Sequence, residues 1–116
     1  MSKYVIFGKT TSENTAAMLN KPQDRRKIVQ PLLDSFKVEM TEFLWINHPD
    51  YNFLGIITGK KDEDIQSACN ILYSSGAWIN ISWFKAFESE EMKEIFEDSS
   101  QKMASYISSI QVAKKE

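Results

Sequence analysis

The chain has 116 residues, of which 42% are apolar, 26% charged and 12% aromatic, a balance that fits one soluble globular domain and excludes a disordered or fibrous chain. Fourteen basic against sixteen acidic residues give a net charge of −2, which leaves no basic face for general nucleic-acid binding. One cysteine, Cys69, and one histidine, His48, exclude an internal disulfide, a cysteine-cluster metal site and a histidine pair.

Residues 3–9 are β-branched and aromatic and read as a strand ending at Gly8-Lys9. Thr10, with Glu13 three places on, forms a capping box that starts a short helix through Ala16, Ala17 and Leu19. Pro22 opens a second helical stretch, where Ile28, Val29, Leu32, Leu33 and Phe36 recur with helical period and Pro31 predicts a kink. Residues 37–47 read as a long strand in which Val38, Met40, Leu44 and Ile46 alternate with Glu39, Thr41, Phe43 and Trp45. His48-Pro49-Asp50 is a turn, and residues 51–58 complete a hairpin. Asp62 caps a helix carrying Ile65, Ala68, Cys69, Leu72 and Tyr73, which closes at Gly76. Residues 77–87 form another strand, and Ser89 caps a final helix over residues 89–112 that is expected to bend at Ser99-Ser100.

This order, β-α-β-β-α-β plus a C-terminal helix, predicts an α+β class: a ferredoxin-like four-stranded antiparallel sheet in one domain over 1–116. The core spans 1–88, with a helical extension over 89–116. No linker, repeat or low-complexity tract divides the chain. No segment approaches the ~20 apolar residues that cross a bilayer, and the apolar run near the start is too short for a secretory signal core. A cytoplasmic protein with no membrane partner is expected, with Asn80-Ile81-Ser82 a chance glycosylation sequon.

In this fold both main helices cover one face of the sheet, and the other normally alternates to polar residues. Here both faces are apolar. The second strand offers Val38, Met40, Leu44 and Ile46 on one side and Phe43 and Trp45 on the other. The fourth offers Ile79, Ile81 and Trp83 against Trp78 and Phe84. Exposing them would exceed the apolar patch a monomer tolerates. A homodimer packed through its sheet faces, a dimeric α/β barrel, is therefore expected; the alternative is a monomer whose C-terminal helix covers that face.

At the hairpin, Glu42-Phe43-Leu44-Trp45 followed by Pro49-Asp50-Tyr51-Asn52-Phe53 resembles the GYD family of small bacterial and archaeal proteins. The opening Tyr4-Val5-Ile6-Phe7-Gly8-Lys9-Thr10-Thr11 and the strand ending Phe84-Lys85-Ala86-Phe87 extend the resemblance over roughly residues 3–90. The motif glycine is replaced by Pro49 and its aspartate by Asn52, while Tyr51 is retained. The resemblance implies the dimeric α/β barrel superfamily, which includes monooxygenases acting on haem or quinols and lactone isomerases. It implies no settled activity for this chain.

Two residues are candidates for proton transfer. His48 titrates near neutrality and is either an exposed turn residue or a general base or haem ligand. Strand alternation places Glu42 in a row with Met40 and Leu44, where a carboxyl would need a partner such as Lys85, a strand bulge, or a catalytic use. Trp45, Tyr51, Asn52, Trp78, Asn80 and Ser82, with Thr58, are candidates to line a small pocket for an aromatic or quinone-like ligand. Cross-strand bonding at a dimer interface is the other reading of the polar members. Cys69 reads as core, and no metal or cofactor is called for. The sequence therefore points to a dimeric module that binds a ligand or a partner, or alternatively to a small enzyme of the barrel superfamily.

Overall fold

A computed structural model describes residues 1–114 of the chain. The chain divides into a first unit, Met1–Ala86, and a second that begins at Phe87. In the first unit β1 (Ser2–Thr10), β2 (Glu39–Trp45), β3 (Phe53–Gly59) and β4 (Trp78–Ala86) form an antiparallel sheet in the order β2-β3-β1-β4. Helices α1 (Ser12–Asn20) and α2 (Arg25–Ser35) join β1 to β2, and α3 (Asp62–Ser74) joins β3 to β4. This is an α+β arrangement consistent with a ferredoxin-like fold.

Period-two alternation sends Tyr4, Ile6, Phe53, Ile57 and Ile81 to one face of the sheet, where they are buried with Leu33 of α2, Ile65 and Cys69 of α3, and Val38. Each such side chain contributes about 1.5–3 kcal/mol by leaving water. The register puts Val5, Phe7, Leu54, Ile56, Leu44 and Phe84 on the opposite face. There Leu44 is 46% and Phe84 53% exposed.

Two irregularities break the alternation read from sequence. Met40 pairs with Ile57 and Glu42 with Ile56, so Thr41 is an extra residue in a bulge. Past it the faces exchange: Met40, Phe43 and Trp45 lie on the helix-covered side, whereas Glu42 and Leu44 lie opposite. A second shift, where Lys9 pairs with Asn80 and Thr10 with Trp78, brings Trp78 onto the same side as Ile81 and Trp83. The expected groupings of Phe43 and Trp45 against Met40, and of Trp78 with Phe84, are thereby corrected.

The helix starts move by a residue or a few. Thr11, rather than Thr10, caps α1, its hydroxyl accepting from the Asn14 amide at 3.1 Å; Thr10 ends β1 and is buried. The helix expected from Pro22 begins only at Arg25 and runs through Pro31 as one element to Ser35. It ends in a Schellman turn: Lys37 takes a left-handed φ of 53°, its amide donates to the Asp34 carbonyl, and the Val38 amide donates to that of Leu33. Val38 and Leu33, both buried, make the hydrophobic contact that accompanies this turn. Asp62 is the first residue of α3 instead of its cap, because its carboxylate is taken by the Tyr4 hydroxyl at 2.5 Å. Gly76 closes that helix with a φ of 77°, as expected. At the outer strand β4 the Tyr73 hydroxyl accepts from the Ile81 amide at 2.8 Å and donates to its carbonyl at 2.9 Å. A side chain thus occupies backbone groups that an edge strand would otherwise offer to another chain.

In the second unit the long helix expected over 89–112 is two helices. α4 (Ser89–Lys102) starts at a capping box in which Glu88, not Ser89, is the cap and Glu91 answers it. A 3-10 turn, Met103–Ser105, ends it, and α5 (Ser109–Lys114) follows. The break falls at 103–108 rather than at Ser99-Ser100, which are helical. Ser108 and Gln111 satisfy each other's backbone amides and restart the helix. Among the described residues no helix is long and apolar enough to cross a membrane.

Candidate ligand site

Between the sheet and helices α2 and α3 lies a cavity of about 220 Å³. Its inner wall is Ile6, Leu33, Ile57, Ile65, Cys69 and Ile81, all buried. Its aromatic wall is Phe43, Trp45, Phe53 and Trp78. Phe53 sits at the centre of these rings, with edge-on contacts to Phe43 at 4.7 Å, Trp78 at 5.5 Å and Trp45 at 5.8 Å. Such tilted pairs add roughly 0.5–1.5 kcal/mol beyond their buried area, which holds the wall in one arrangement. Both strand bulges serve this site: without them Phe43, Trp45 and Trp78 would not share a face with Phe53.

Trp78 lies directly over Gly8. A β-carbon added there would come within 2.5 Å of the indole, so only glycine lets the ring lie down on the strand. The solvent end of the cavity is marked by lining residues that reach the surface: Trp45 and Ile71, each 48% exposed, with Asn14, Arg25 and Ser75. Burial pushes the Cys69 thiol up to about 11, so it stands on the wall as a neutral group.

Asn52 is a fastener beside this site. Its side-chain oxygen accepts from the Thr10 amide at 3.1 Å and its side-chain nitrogen donates to the Thr10 hydroxyl at 2.7 Å. Its own amide donates to the Gly8 carbonyl, and its carbonyl accepts from Ile46. Thr10, which lines the cavity, thereby has its buried polar groups satisfied.

The structure divides the residues singled out from sequence. Trp45 and Trp78 are on the cavity wall, and Asn52 is one step behind it. Tyr51 instead makes tilted ring contacts with Phe7 at 5.3 Å and with His48 at 5.7 Å. His48 is exposed in the turn and accepts from the Asp50 amide. Asn80 and Ser82 lie opposite Lys9 and Phe7 on the second face, and Thr58 lies opposite Lys3. The Asn80 side-chain oxygen is shielded there and accepts no hydrogen bond among the described residues. Glu42 is exposed on the outer strand β2, opposite Ile56. In the register β3 and β1 separate it from Ser82 on β4. Lys85, named as its partner from sequence, pairs with Asp62 at 3.6 Å instead.

Sequence reasoning missed a second cluster of polar groups. Tyr4 is fully buried, and burial and the hydrogen bond to Asp62 push its hydroxyl up to about 12. The same bond, with Lys85 beside it, holds the Asp62 carboxyl below its usual range. Trp83 closes the cluster, its ring edge-on to Tyr4 and its indole nitrogen donating to Gln66 at 2.9 Å. The signal was a tyrosine in the middle of an apolar strand, since a buried hydroxyl calls for a partner.

Among the described residues no group of three or more His, Cys, Asp or Glu is placed to hold a metal ion. The chain matches no family model, and no curated protein matches it.

Proposed function

We propose that the chain is a ligand-binding module that works as a two-fold dimer and holds an apolar, ring-sized molecule between its sheet and helices. The observation that supports this reading is the cavity, lined by the rings of Phe36, Phe43, Trp45, Phe53 and Trp78 and open to solvent on one side. At about 220 Å³ it is roughly one and a half times the ~150 Å³ apolar void known to take up benzene. The apolar second face, with Leu44 and Phe84 half exposed, supports a sheet-to-sheet dimer of the dimeric α/β barrel type that the resemblance to the GYD family implies. An enzyme of the monooxygenase or isomerase kind would need a carboxyl or imidazole facing the ligand. Glu42 and His48 both lie away from this cavity, which favours binding over catalysis.

A native mass spectrum of purified protein tests the assembly and the site together. A dimer is expected, and any mass released on denaturation identifies the ligand. Phe84→Glu, which puts a charge on the second face, should convert dimer to monomer without unfolding it. A monomeric wild type overturns the dimer. For the cavity, neutral indane should change the emission of Trp45 and Trp78, and Ala68→Leu, which fills the void from α3, should abolish the change. A response that survives Ala68→Leu overturns the site.

A further inference from the structure

We infer that the ligand of this cavity is amphipathic, with an apolar ring as its body and a carboxylate as its head, and that Arg25 receives the head at the cavity mouth. The inference rests on the reading of the cavity as a ligand site. The sequence groups Lys21, Arg25, Arg26 and Lys27 as one basic cluster, but the structure separates them. Arg25 alone of the four lines the cavity, and it is the one charged lining residue among those described. Lys21, Arg26 and Lys27 are exposed, and Arg26 is turned to the Met40 carbonyl at 3.1 Å.

Arg25 is half buried, and its guanidinium donates to the neutral Gln23 side-chain oxygen at 2.9 Å. Among the described residues no carboxylate forms an ion pair with it. A guanidinium carries five N–H donors in a flat fork, so one neutral partner leaves most of it available. Partial burial weakens its hydration, and the low-dielectric chamber beside it strengthens its attraction for an anion over that of an exposed lysine. With a single cation at the mouth, a monoanionic carboxylate matches the charge, and the fork accepts it with two parallel bonds. Asn14 and Ser75 border the same opening and add neutral polar groups around the head.

The test is isothermal titration calorimetry of the full chain with phenylpropionate and with its amide, which share ring and shape and differ in charge. Wild type should bind the acid about tenfold or more tightly than the amide, the worth of one charge-assisted hydrogen bond. Arg25→Gln should lose that preference and keep the amide affinity, which also shows that the variant folds. Acid and amide bound equally by wild type would overturn the anionic head alone. A preference that persists in Arg25→Gln would overturn the role of Arg25. Neither compound binding wild type would overturn the ligand site, and this inference with it.

Discussion

Replacing Tyr4 by Phe removes one oxygen atom from a fully buried position and leaves the ring packed against Trp83. The Asp62 carboxylate that loses its 2.5 Å partner is about half exposed and returns to water, so the loss at neutral pH should be about 1–2 kcal/mol. The pH dependence is the sharper signature. In the folded chain the Tyr4 hydroxyl titrates at about 12, against 10.0 for an unperturbed tyrosine. Its folded value is raised, so its contribution is fully present below pH 10 and is lost as pH climbs toward 12. A rise of two full units would be worth ~2.7 kcal/mol; solvent reaching Asp62 screens the pair and reduces this to about 1–2 kcal/mol. Urea unfolding of wild type and Tyr4→Phe, run in parallel from about pH 8 upward, cancels the lysine titrations common to both. The stability gap between them should be flat up to pH 10 and should shrink above it. A gap that stays constant or widens above pH 10 would refute the assignment.

Gly8→Ala places a β-carbon 2.5 Å from the Trp78 ring, which must move; urea denaturation should show a loss of about 1–3 kcal/mol, with a change in the near-ultraviolet tryptophan signal. Asn52→Ala breaks the 2.7 and 3.1 Å bonds to Thr10 and leaves a buried hydroxyl and amide unsatisfied, at a cost of about 1–3 kcal/mol. Asn52→Asp, which keeps an acceptor but loses the donor, should fall between wild type and Asn52→Ala.

The order of elements was legible because each strand carries β-branched or aromatic residues, because Pro49-Asp50 and Gly76 mark the turns before β3 and β4, and because α2 and α3 carry their apolar residues at helical spacing. The caps were misplaced where neighbours share chemistry. Thr10 and Thr11 have the same hydroxyl, and tertiary contacts separate them: Thr10 pairs in β1 and is held by Asn52, which leaves Thr11 to cap the helix. Asp62 reads as a cap because nothing local shows that Tyr4, 58 residues away in sequence, takes its carboxylate. The break in the C-terminal stretch has a visible signal in the Ser108-x-x-Gln111 capping box, which marks a helix start where the serine pair at 99 and 100 marks none. The candidate site was half legible. Trp45 and Trp78 stand out as large rings in strands, but nothing in the sequence sets Arg25 apart from Lys21, Arg26 and Lys27, because half-burial beside a cavity is a tertiary property.

The faces of β2 and β4 went wrong for one reason, and it yields a decisive comparison. Strict alternation cannot represent an extra residue, yet both strands carried a trace of one: Met40 to Phe43 and Trp78 to Ile81 are gaps of three between apolar side chains on one face. The two accounts of β2 predict opposite results for deleting Thr41. If the strand alternated strictly from Met40, the intact chain would turn Glu42 and Leu44 toward the helices, and the deletion would exchange them for Phe43 and Trp45, so that Trp45 would change its surroundings. In the bulged strand Thr41 is the surplus residue, so its removal leaves Met40, Phe43 and Trp45 where they are and makes the pairing regular. What is lost is the bend and the bond from the Thr41 hydroxyl to the Ile56 carbonyl at 3.3 Å, about 0.5–2 kcal/mol together. The deletion variant should therefore fold cooperatively in urea with near-wild-type tryptophan emission, since Trp45 and Trp78 keep their neighbours. A large shift of tryptophan emission in that folded variant would remove the bulge from β2 and, with it, the aromatic wall of the cavity.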